Sequence, residues 1–432
     1  MLWPEFVNGA YATRYAIADA EALVNAYVDT INSRSNAKRA FLTGTPGMKV
    51  LFTLPTIGCR GWWTADGRTL TVYGDTFYEV DITNKLGTAQ GTIPNDGQPV
   101  SMVSNGRGGE QVLVVGGGNA YIYDLRASTL SAPIALPLTN APVMADFIDG
   151  YFLLTERNTI RTWYSALENG TSWPALNFFS RSQVTDNTVG LKVVNGRIQV
   201  FGSLTTESFY DSGDVTTPFL PVPGSILQQG AMSPWAISRQ GDGVIWLAQS
   251  SEASGRITGT SGVQQTSVST PAIEFAISQY STLTDAEVLV YGQEGHQFAA
   301  FTFPSGDATW VNDAREDQWH RRDNWNLSEG QSHRWRARGS CVVNGQVIVG
   351  DYASGDVCAL DLNTFQDRSA VIRRVRRAPY LSAENQWLFL DQIELGVQAG
   401  RGLATGQGSD PQVLLSISRD GGSQWDRHAP PH

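Results

Sequence analysis

Five arginines near the end of the sequence form its densest cluster of a single charge. They are Arg368, Arg373, Arg374, Arg376 and Arg377. A guanidinium group carries a permanent positive charge and pairs with carboxylates or phosphates. In a strand, consecutive side chains point to opposite faces, so this cluster would place charge on both faces. That pattern indicates an edge strand protected against unwanted pairing, an interface with an acidic partner, or a contact with DNA phosphate.

A second motif lies close to the C-terminus. Ser418, Asp420, Gly422 and Trp425 fit the pattern S-x-D-x-G-x-x-W of an Asp-box hairpin. In such a hairpin the aspartate accepts backbone N–H bonds in the turn and the tryptophan packs beneath it. Sialidases contain several of these boxes, together with an arginine cluster and a tyrosine–glutamate nucleophile. One box does not carry that chemistry, so we interpret the motif as structural.

The remaining reactive side chains do not form a catalytic pattern. The five histidines include no HExxH motif and no His/Cys cluster. His320 lies near Glu316 and Asp317, which is typical of a solvated charged loop. The three cysteines lack metal-binding spacing and are expected to be buried free thiols; they are Cys59, Cys341 and Cys358. We therefore predict no catalytic residue, no metal site and no cofactor.

The elements that position these motifs are predicted by repeated hairpin turns. Asn195-Gly196 lies between two apolar runs in LKVVNGRIQVFG, and this residue pair favours a tight β-hairpin. Similar turns occur at Asp66-Gly67, Asn105-Gly106, Asp149-Gly150, Asp242-Gly243, Gln293–His296 and Asn344-Gly345, spaced 39 to 51 residues apart. This period is typical of the four-stranded blades of a β-propeller. Seven turns predict an all-β ring of about seven blades, or six if one turn lies in a loop.

The same pattern divides the chain into three regions. Residues 1–55 are predicted to be an N-terminal arm, which we expect to be extended rather than helical at 19–28. Residues 56–381 are the predicted propeller, with a short helix at 271–280 that begins at Thr270-Pro271. Residues 382–432 are predicted to form the closing blade or a small β extension. Four tryptophans at positions 310–335 either fill the core or form a contact surface.

Composition restricts the classes of partner. The chain has 432 residues, only 17% of them charged, and a net charge of −10. An acidic protein of this kind is poorly suited to tight, sequence-independent binding of DNA. The N-terminus lacks the features of a signal peptide, and no apolar stretch approaches the length of a membrane span. We expect synthesis in the cytoplasm.

Short strings along nearly the whole chain carry a resemblance to one family. They are NAY at 25–27, GTPG at 44–47, YEV at 78–80, GYF at 150–152, GD at 213–214, AIE at 272–274, QEGH at 293–296, WH at 319–320, LDL at 360–362, GSDP at 408–411 and the Asp-box. In this order they resemble the packaged-DNA stabilisation or tail hub (nozzle) proteins of short-tailed bacteriophages. That family usually has NLY where this chain has NAY. The chain also ends soon after the Asp-box, so another segment is expected to close the last blade.

The resemblance implies a structural component of a virion tail. Family members are propellers that assemble, usually as hexamers, below the portal and its adaptor ring. They retain packaged DNA and form part of its exit channel without reading its sequence. The partners implied are other copies of the chain, the portal adaptor and other tail proteins. The alternative is a receptor- or glycan-binding propeller of the tail, with tryptophans stacked on sugars.

Overall fold

The Asx-Gly pairs form the first turn of successive antiparallel sheets in the computed structural model of the protein. It describes residues 6–12, 20–32, 38–106, 108–184, 186–261, 264–379, 381, 392–397, 405, 409, 412–420 and 424–428. At Asn195-Gly196 both residues have positive φ, 51° and 69°, and Val194 pairs directly with Arg197. Positive φ at both central residues is the requirement of a type I′ hairpin turn. The predicted turns at 66–67, 149–150, 294–295 and 344–345 have the same conformation.

The predicted turn at Asp242-Gly243 is wrong by one residue. Gln240 pairs with Gly243, so the turn residues are Gly241 and Asp242. Only Gly241 has positive φ, 56°, which fits a type II′ turn with glycine in the first position. The turn after Asn105 is longer, because the Asn105 side chain bonds to the backbone of Gly109 and Gln111.

Seven blades make up the body of the fold, as predicted, and the strands of each are given from the inner strand to the outer strand. Blade 1 contains Cys59–Ala65, Arg68–Tyr73, Thr76–Asp81 and Leu86–Thr92. Blade 2 contains Ser101–Ser104, Gln111–Gly116, Asn119–Asp124 and Thr129–Leu130. Blade 3 contains Pro142–Ile148, Tyr151–Glu156, Arg161–Tyr164 and Phe178–Ser180. Blade 4 contains Thr188–Val194, Arg197–Gly202, Thr206–Asp211 and Phe219–Pro221.

The last three blades contain the irregular features of the ring. Blade 5 begins with two short strands, Gly230–Ala231 and Ile237–Gln240, followed by Gly243–Gln249, Ser254–Ser261 and Gln264–Ser267. The short 3-10 helix Pro234–Ala236 separates its first two strands. Blade 6 contains Glu287–Gln293, His296–Phe303, Ala308–Asp313 and Gln318–Arg321. Blade 7 contains Ala337–Val343, Gln346–Asp351, Asp356–Asp361 and, from the N-terminal side, Gly47–Thr53.

The ring closes where the N-terminal side of the chain joins blade 7. Strand Gly47–Thr53 pairs antiparallel with Asp356–Asp361 and completes the blade. The inner strand of blade 7 then packs against the inner strand of blade 1. Residues 382–432 are not needed to complete this sheet, and their described part contains the two-stranded hairpin Leu415–Ile417 and Asp426–His428. The closing strand lies within the range 1–55 predicted for the arm. The division into three domains stays a prediction.

The strands are almost continuously apolar because each blade is buried on both faces. In blade 2, Val112 and Val114 pack in the core shared with blade 1. Their neighbours Leu113 and Val115 pack in the core shared with blade 3. Side chains that alternate along one strand therefore pack into the cores on both faces of the blade.

The described residues of the N-terminal arm are extended, as predicted. Its strands are Tyr11–Ala12, Ala20–Val24, Ala26–Asn32 and Lys38–Gly44. The last two form an antiparallel pair that we call the arm hairpin. Blade 6 and the arm share one sheet, because Ala20–Val24 pairs with Gln318–Arg321 at the outer edge of that blade.

Two smaller predictions are also confirmed. The helix predicted at 271–280 spans Pro271–Ser278, and the Thr270 hydroxyl accepts the N–H of Ile273 as an N-cap. All three cysteines are free and buried. Burial raises the pKa of the Cys59 and Cys341 thiols to about 12, so both stay protonated and unreactive.

Antiparallel pairing also defines the two ends of the propeller. The four strands of a blade alternate in direction, so its first and third connections lie at the same end. We call this the Asx-Gly end, since it carries Asn195-Gly196 and the equivalent turns. It also carries the third connections of blade 4 (212–218) and blade 6 (314–317).

Candidate assembly interface

The arginine cluster lies on a segment that connects blade 7 to the arm. Strand Gln366–Asp367 pairs with the short strand Ala370–Val371 and, at Asp367, with Met48 of the closing strand. Strand Val375–Arg377 pairs antiparallel with Ala20–Val24 of the arm. The segment therefore fastens both N-terminal elements to the propeller.

Two of the five arginines bind carboxylates of this chain. Arg368 has φ of 60° in a tight turn, and its guanidinium pairs with Asp356 and, at 3.3 Å, with Asp351. Arg376 forms a buried ion pair with Glu21 of the arm. Its Nε also donates to the carbonyl of Phe6 at 2.7 Å. A buried guanidinium satisfied in this way holds segments together.

The other three arginines stack on aromatic rings. The guanidinium carbon of Arg373 lies 4.5 Å from the ring centre of Trp325, and that of Arg377 lies 4.9 Å from Trp425. Arg374 lies 5.9 Å from the ring of Phe365 and beside Gly44, which has no side chain to block it. Stacking uses the flat face of a guanidinium and leaves its N–H edge available to a carboxylate or phosphate.

The strand expected to include Arg373 and Arg374 does not form. The prediction assumed one continuous strand, whereas residues 372–374 lie between strands Ala370–Val371 and Val375–Arg377. Both arginines are exposed. The exposed pair Arg373 and Arg374 is therefore the part of the cluster best placed for a partner, and its role as an interface stays a prediction.

Asn25 is the residue that joins the arm, the arginine segment and blade 6. It is buried, has φ of 54°, and its side chain donates to the carbonyl of Arg373 at 2.9 Å. Its Oδ1 accepts the N–H of Asp323 at 2.9 Å, and its backbone N–H donates to the carbonyl of Arg321 in blade 6, also at 2.9 Å. An asparagine suits this position because it tolerates positive φ and both donates and accepts. The NAY string was the only sequence signal for it.

The arm hairpin is anchored in a pocket of rings and carboxylates. Tyr27 is buried edge-on against His296 and Phe298, each 5.1 Å away between ring centres. His296 lies between two carboxylates, 2.6 Å from Asp313 and 3.2 Å from Asp29 of the hairpin. Sequence analysis missed these contacts, because the partners lie far apart in the chain.

The Asp-box residues form part of the C-terminal hairpin. Ser418 donates to Oδ1 of Asp420 at 2.8 Å, and the same oxygen accepts the N–H of Gln424 at 2.9 Å. Trp425 is 40% exposed and contacts Arg377. Gly422 lies outside the described residues. The aspartate thus accepts a backbone N–H of the hairpin, and the tryptophan contacts the arginine segment.

The tryptophans of residues 309–338 mostly pack in the interior of the protein. Trp319 and Trp335 are buried, and Trp310 donates to the Tyr280 hydroxyl at 2.9 Å. Trp325 lies on the small hairpin Asp323–Asn326 and Gln331–Arg334 and carries the stacked Arg373. Arg373 covers one face of the Trp325 ring, so that face is not available to a sugar.

The described residues contain no cluster of three or more His, Cys, Asp or Glu suited to a metal ion. His320 is buried, and desolvation followed by the charge of Arg322 lowers its pKa to about 3, so it stays neutral. A polar cavity of about 140 Å³ lies between blades 6 and 7, next to Arg334, Arg338 and Tyr352. The ionisable side chains around it make ion pairs and packing contacts.

Within the described chain, no helix has the length and apolar character needed to cross a bilayer.

Comparison with known proteins gives one extensive match. The model of the family described as bacteriophage P22 Gp10, beta-propeller, matches residues 6–365. A search of curated proteins found no match.

Solved structures share the propeller architecture at low identity. A chain of the mitotic checkpoint complex is 10% identical, with a TM-score of 0.49, 74% of this chain covered and 92% of that chain. The N-terminal domain of Nup159 is 10% identical, with a TM-score of 0.45, 79% of this chain covered and 99% of that chain. The designed Ika8 protein is 10% identical, with a TM-score of 0.44, 72% of this chain covered and 99% of that chain.

Proposed function

Because the chain belongs to the bacteriophage P22 Gp10 β-propeller family, we propose that it is a structural protein of a short-tailed phage tail. In this role it forms a hub or nozzle below the portal and its adaptor, retains packaged DNA, and lines part of the exit channel. The observation that supports the proposal is the family match over residues 6–365, a range that contains all seven blades.

The proposed mechanism is mechanical. Several copies, six in the arrangement that the resemblance implies, form a ring around the DNA path. The net charge of −10 disfavours tight binding of phosphate, so DNA can slide through when the tail engages a host. The protein is made in the host cytoplasm and works in the virion. We propose no enzymatic step, in keeping with a structural role in the tail.

In this proposal Arg373 and Arg374 dock onto acidic side chains of a neighbouring tail protein. They are exposed, whereas Arg368 and Arg376 bind carboxylates of their own chain. Exposed charges at an interface orient partners and speed their association more than they add affinity.

The test is complementation of a phage that lacks the gene, using a variant with Arg373→Gln and Arg374→Gln. We expect a folded protein that is not incorporated into tails, measured by quantitative mass spectrometry of purified particles. A matched control changes two exposed arginines away from the segment, Arg126→Gln and Arg197→Gln. Normal tails that release DNA with altered salt dependence would instead favour DNA contact. Purified particles that lack the wild-type protein, or hold a single copy, would contradict the hub itself.

A further inference from the structure

The arm hairpin presents an apolar and basic surface where it extends beyond blade 6. Near its base Tyr27 is buried, but farther along Ile31 is 52% exposed and Phe41 is 39% exposed. Ile31 pairs with Arg39 and Asp29 pairs with Phe41, so these side chains share one face of the hairpin. Arg39 is exposed and has no ion-pair partner among the described residues. The described part of the hairpin thus carries two exposed apolar side chains next to a cation.

The outer hairpin of blade 4 presents a complementary surface of exposed apolar side chains and acidic residues. Tyr210 and Leu220 lie directly opposite each other and are 38% and 39% exposed, while Val215 in the connecting turn is 92% exposed. The alternate side chains Phe209 and Phe219 face the core between blades 3 and 4. The exposed apolar side chains therefore lie on the other face of this hairpin, away from that core.

The charge of the blade 4 hairpin is acidic. Residues 206–221 include Asp211 and Asp214 and contain no lysine or arginine. Asp214 is exposed and accepts the N–H groups of Thr216 and Thr217. The bonds from Thr217 and then Thr216 lower its pKa, so the carboxylate is ionised at neutral pH. Asp211 and Asp214 have no ion-pair partner within the described chain.

The two surfaces lie at matching positions on the propeller. Thr30 of the arm hairpin donates to Glu316 at 2.6 Å, so its far part lies beside the third connection of blade 6, at the Asx-Gly end. The turn 212–218 of blade 4 lies at the same end. Blades 4 and 6 are two positions apart in a seven-bladed ring, which corresponds to about 100° of rotation. A contact between two different surfaces of the same chain is heterologous, and it forms a ring when the rotation between successive copies closes.

We infer that the arm hairpin of one copy docks on the outer hairpin of blade 4 of the next copy. This inference rests on the ring of the proposed function and names the surfaces that form it. Ile31 and Phe41 pack against Tyr210, Val215 and Leu220, and Arg39 pairs with Asp214. A second copy is the occupant that fits, because each chain supplies both halves. DNA would be repelled by the acidic half.

Engineered cysteines test the contact directly, because the three native cysteines are buried and unreactive. A variant with Ile31→Cys and Thr216→Cys places one thiol on each surface and keeps Phe41, Arg39 and Val215. Under mild oxidation we expect disulfide-linked multimers in purified particles and in concentrated protein, seen on non-reducing gels. The matched control pairs Ile31→Cys with Thr88→Cys, an exposed position on the outer strand of blade 1. Absence of multimers from the first pair in particles that contain the protein overturns the inference.

Charge exchange supplies a second test in the same background. Arg39→Glu or Asp214→Arg alone should lower the yield of cross-linked multimers at least about tenfold, in line with close interfacial charge pairs. The two changes together should restore it. Equal yields from the single variants, or no recovery in the double variant, contradict the inference. Particles that lack the wild-type protein refute the virion role instead, whatever concentrated protein shows.

Discussion

Positive φ at Gly196 determines what this position tolerates. Gly196 has φ of 69°, and a side chain there would meet no atom within 4 Å. Gly196→Val should therefore destabilise the protein through backbone strain alone, by about 1–3 kcal/mol. Denaturant unfolding measures this, with Arg197→Val on the adjacent exposed strand position as the control. Equal stability of the two variants would show that the turn does not need a positive φ.

Asn25 tolerates a positive φ and also makes side-chain hydrogen bonds, and two substitutions separate these two properties. Asn25→Gly keeps the positive φ accessible but loses the bonds to Arg373 and Asp323, leaving buried groups unpaired at a cost of about 1–3 kcal/mol. Asn25→Ala loses the same bonds and adds roughly 1–2 kcal/mol of left-handed strain. We expect stability to fall in the order wild type, Gly, Ala. Faster amide hydrogen exchange in 20–32 and 38–44 should accompany the loss, and exchange unchanged there would contradict the joining role of Asn25.

At the scale of elements, the sequence predicts the turns that depend only on adjacent residues. Asn195-Gly196 is recognisable because two consecutive residues must adopt positive φ. The sequence did not show that the turn consists of Gly241-Asp242 instead of Asp242-Gly243. Both pairs contain a glycine, and only the register of the strands distinguishes them. The partner of Arg376 was beyond reach, since Glu21 lies 355 residues earlier in the chain.

The Arg376–Glu21 pair determines whether the arm stays attached to the propeller. Arg376→Gln leaves the Glu21 carboxylate buried without its cation, which typically costs about 3–5 kcal/mol. We expect lower stability and rapid proteolysis within residues 1–45. The exposed Arg373→Gln is the control and should change the free energy of unfolding by no more than about 1 kcal/mol, the contribution of an exposed cation–π contact. A stable, protease-resistant Arg376→Gln variant would show that other contacts hold the arm.

Acid stability should depend in part on the contact between blades 1 and 2. Arg68, followed by the Tyr123 hydroxyl, lowers the pKa of Glu79 despite its partial desolvation. The ionised Glu79 therefore contributes stability above the unfolded pKa of about 4.3, and this is lost as pH falls through the lower folded pKa. Glu79→Gln should flatten unfolding free energy against pH in that range. The exposed Glu168→Gln should not, and equal slopes for both variants would contradict the assignment.

At the scale of the whole molecule, closure is the feature that periodicity alone does not reveal. The spaced turns predict the number of blades, because each blade repeats one local hairpin. They do not show which segment supplies the missing strand, since Gly47–Thr53 pairs with Asp356–Asp361 across almost the entire chain. The sequence alone therefore does not show which arginines are exposed and which form ion pairs, because this depends on where the closing strand places the arm.

Two truncations that differ only in the closing strand test its role. A chain of residues 46–432 lacks the arm but keeps Gly47–Thr53, so we expect a closed propeller with reduced stability. A chain of residues 54–432 also loses Met48, which is fully buried in the core between blades 6 and 7. Asp356–Asp361 then becomes an unpaired edge over an open core, which favours aggregation. We expect the longer chain to elute as a monomer and unfold cooperatively, and the shorter one to aggregate or lose its thermal transition. Equal transition temperatures for the two chains would show that the ring does not depend on this strand.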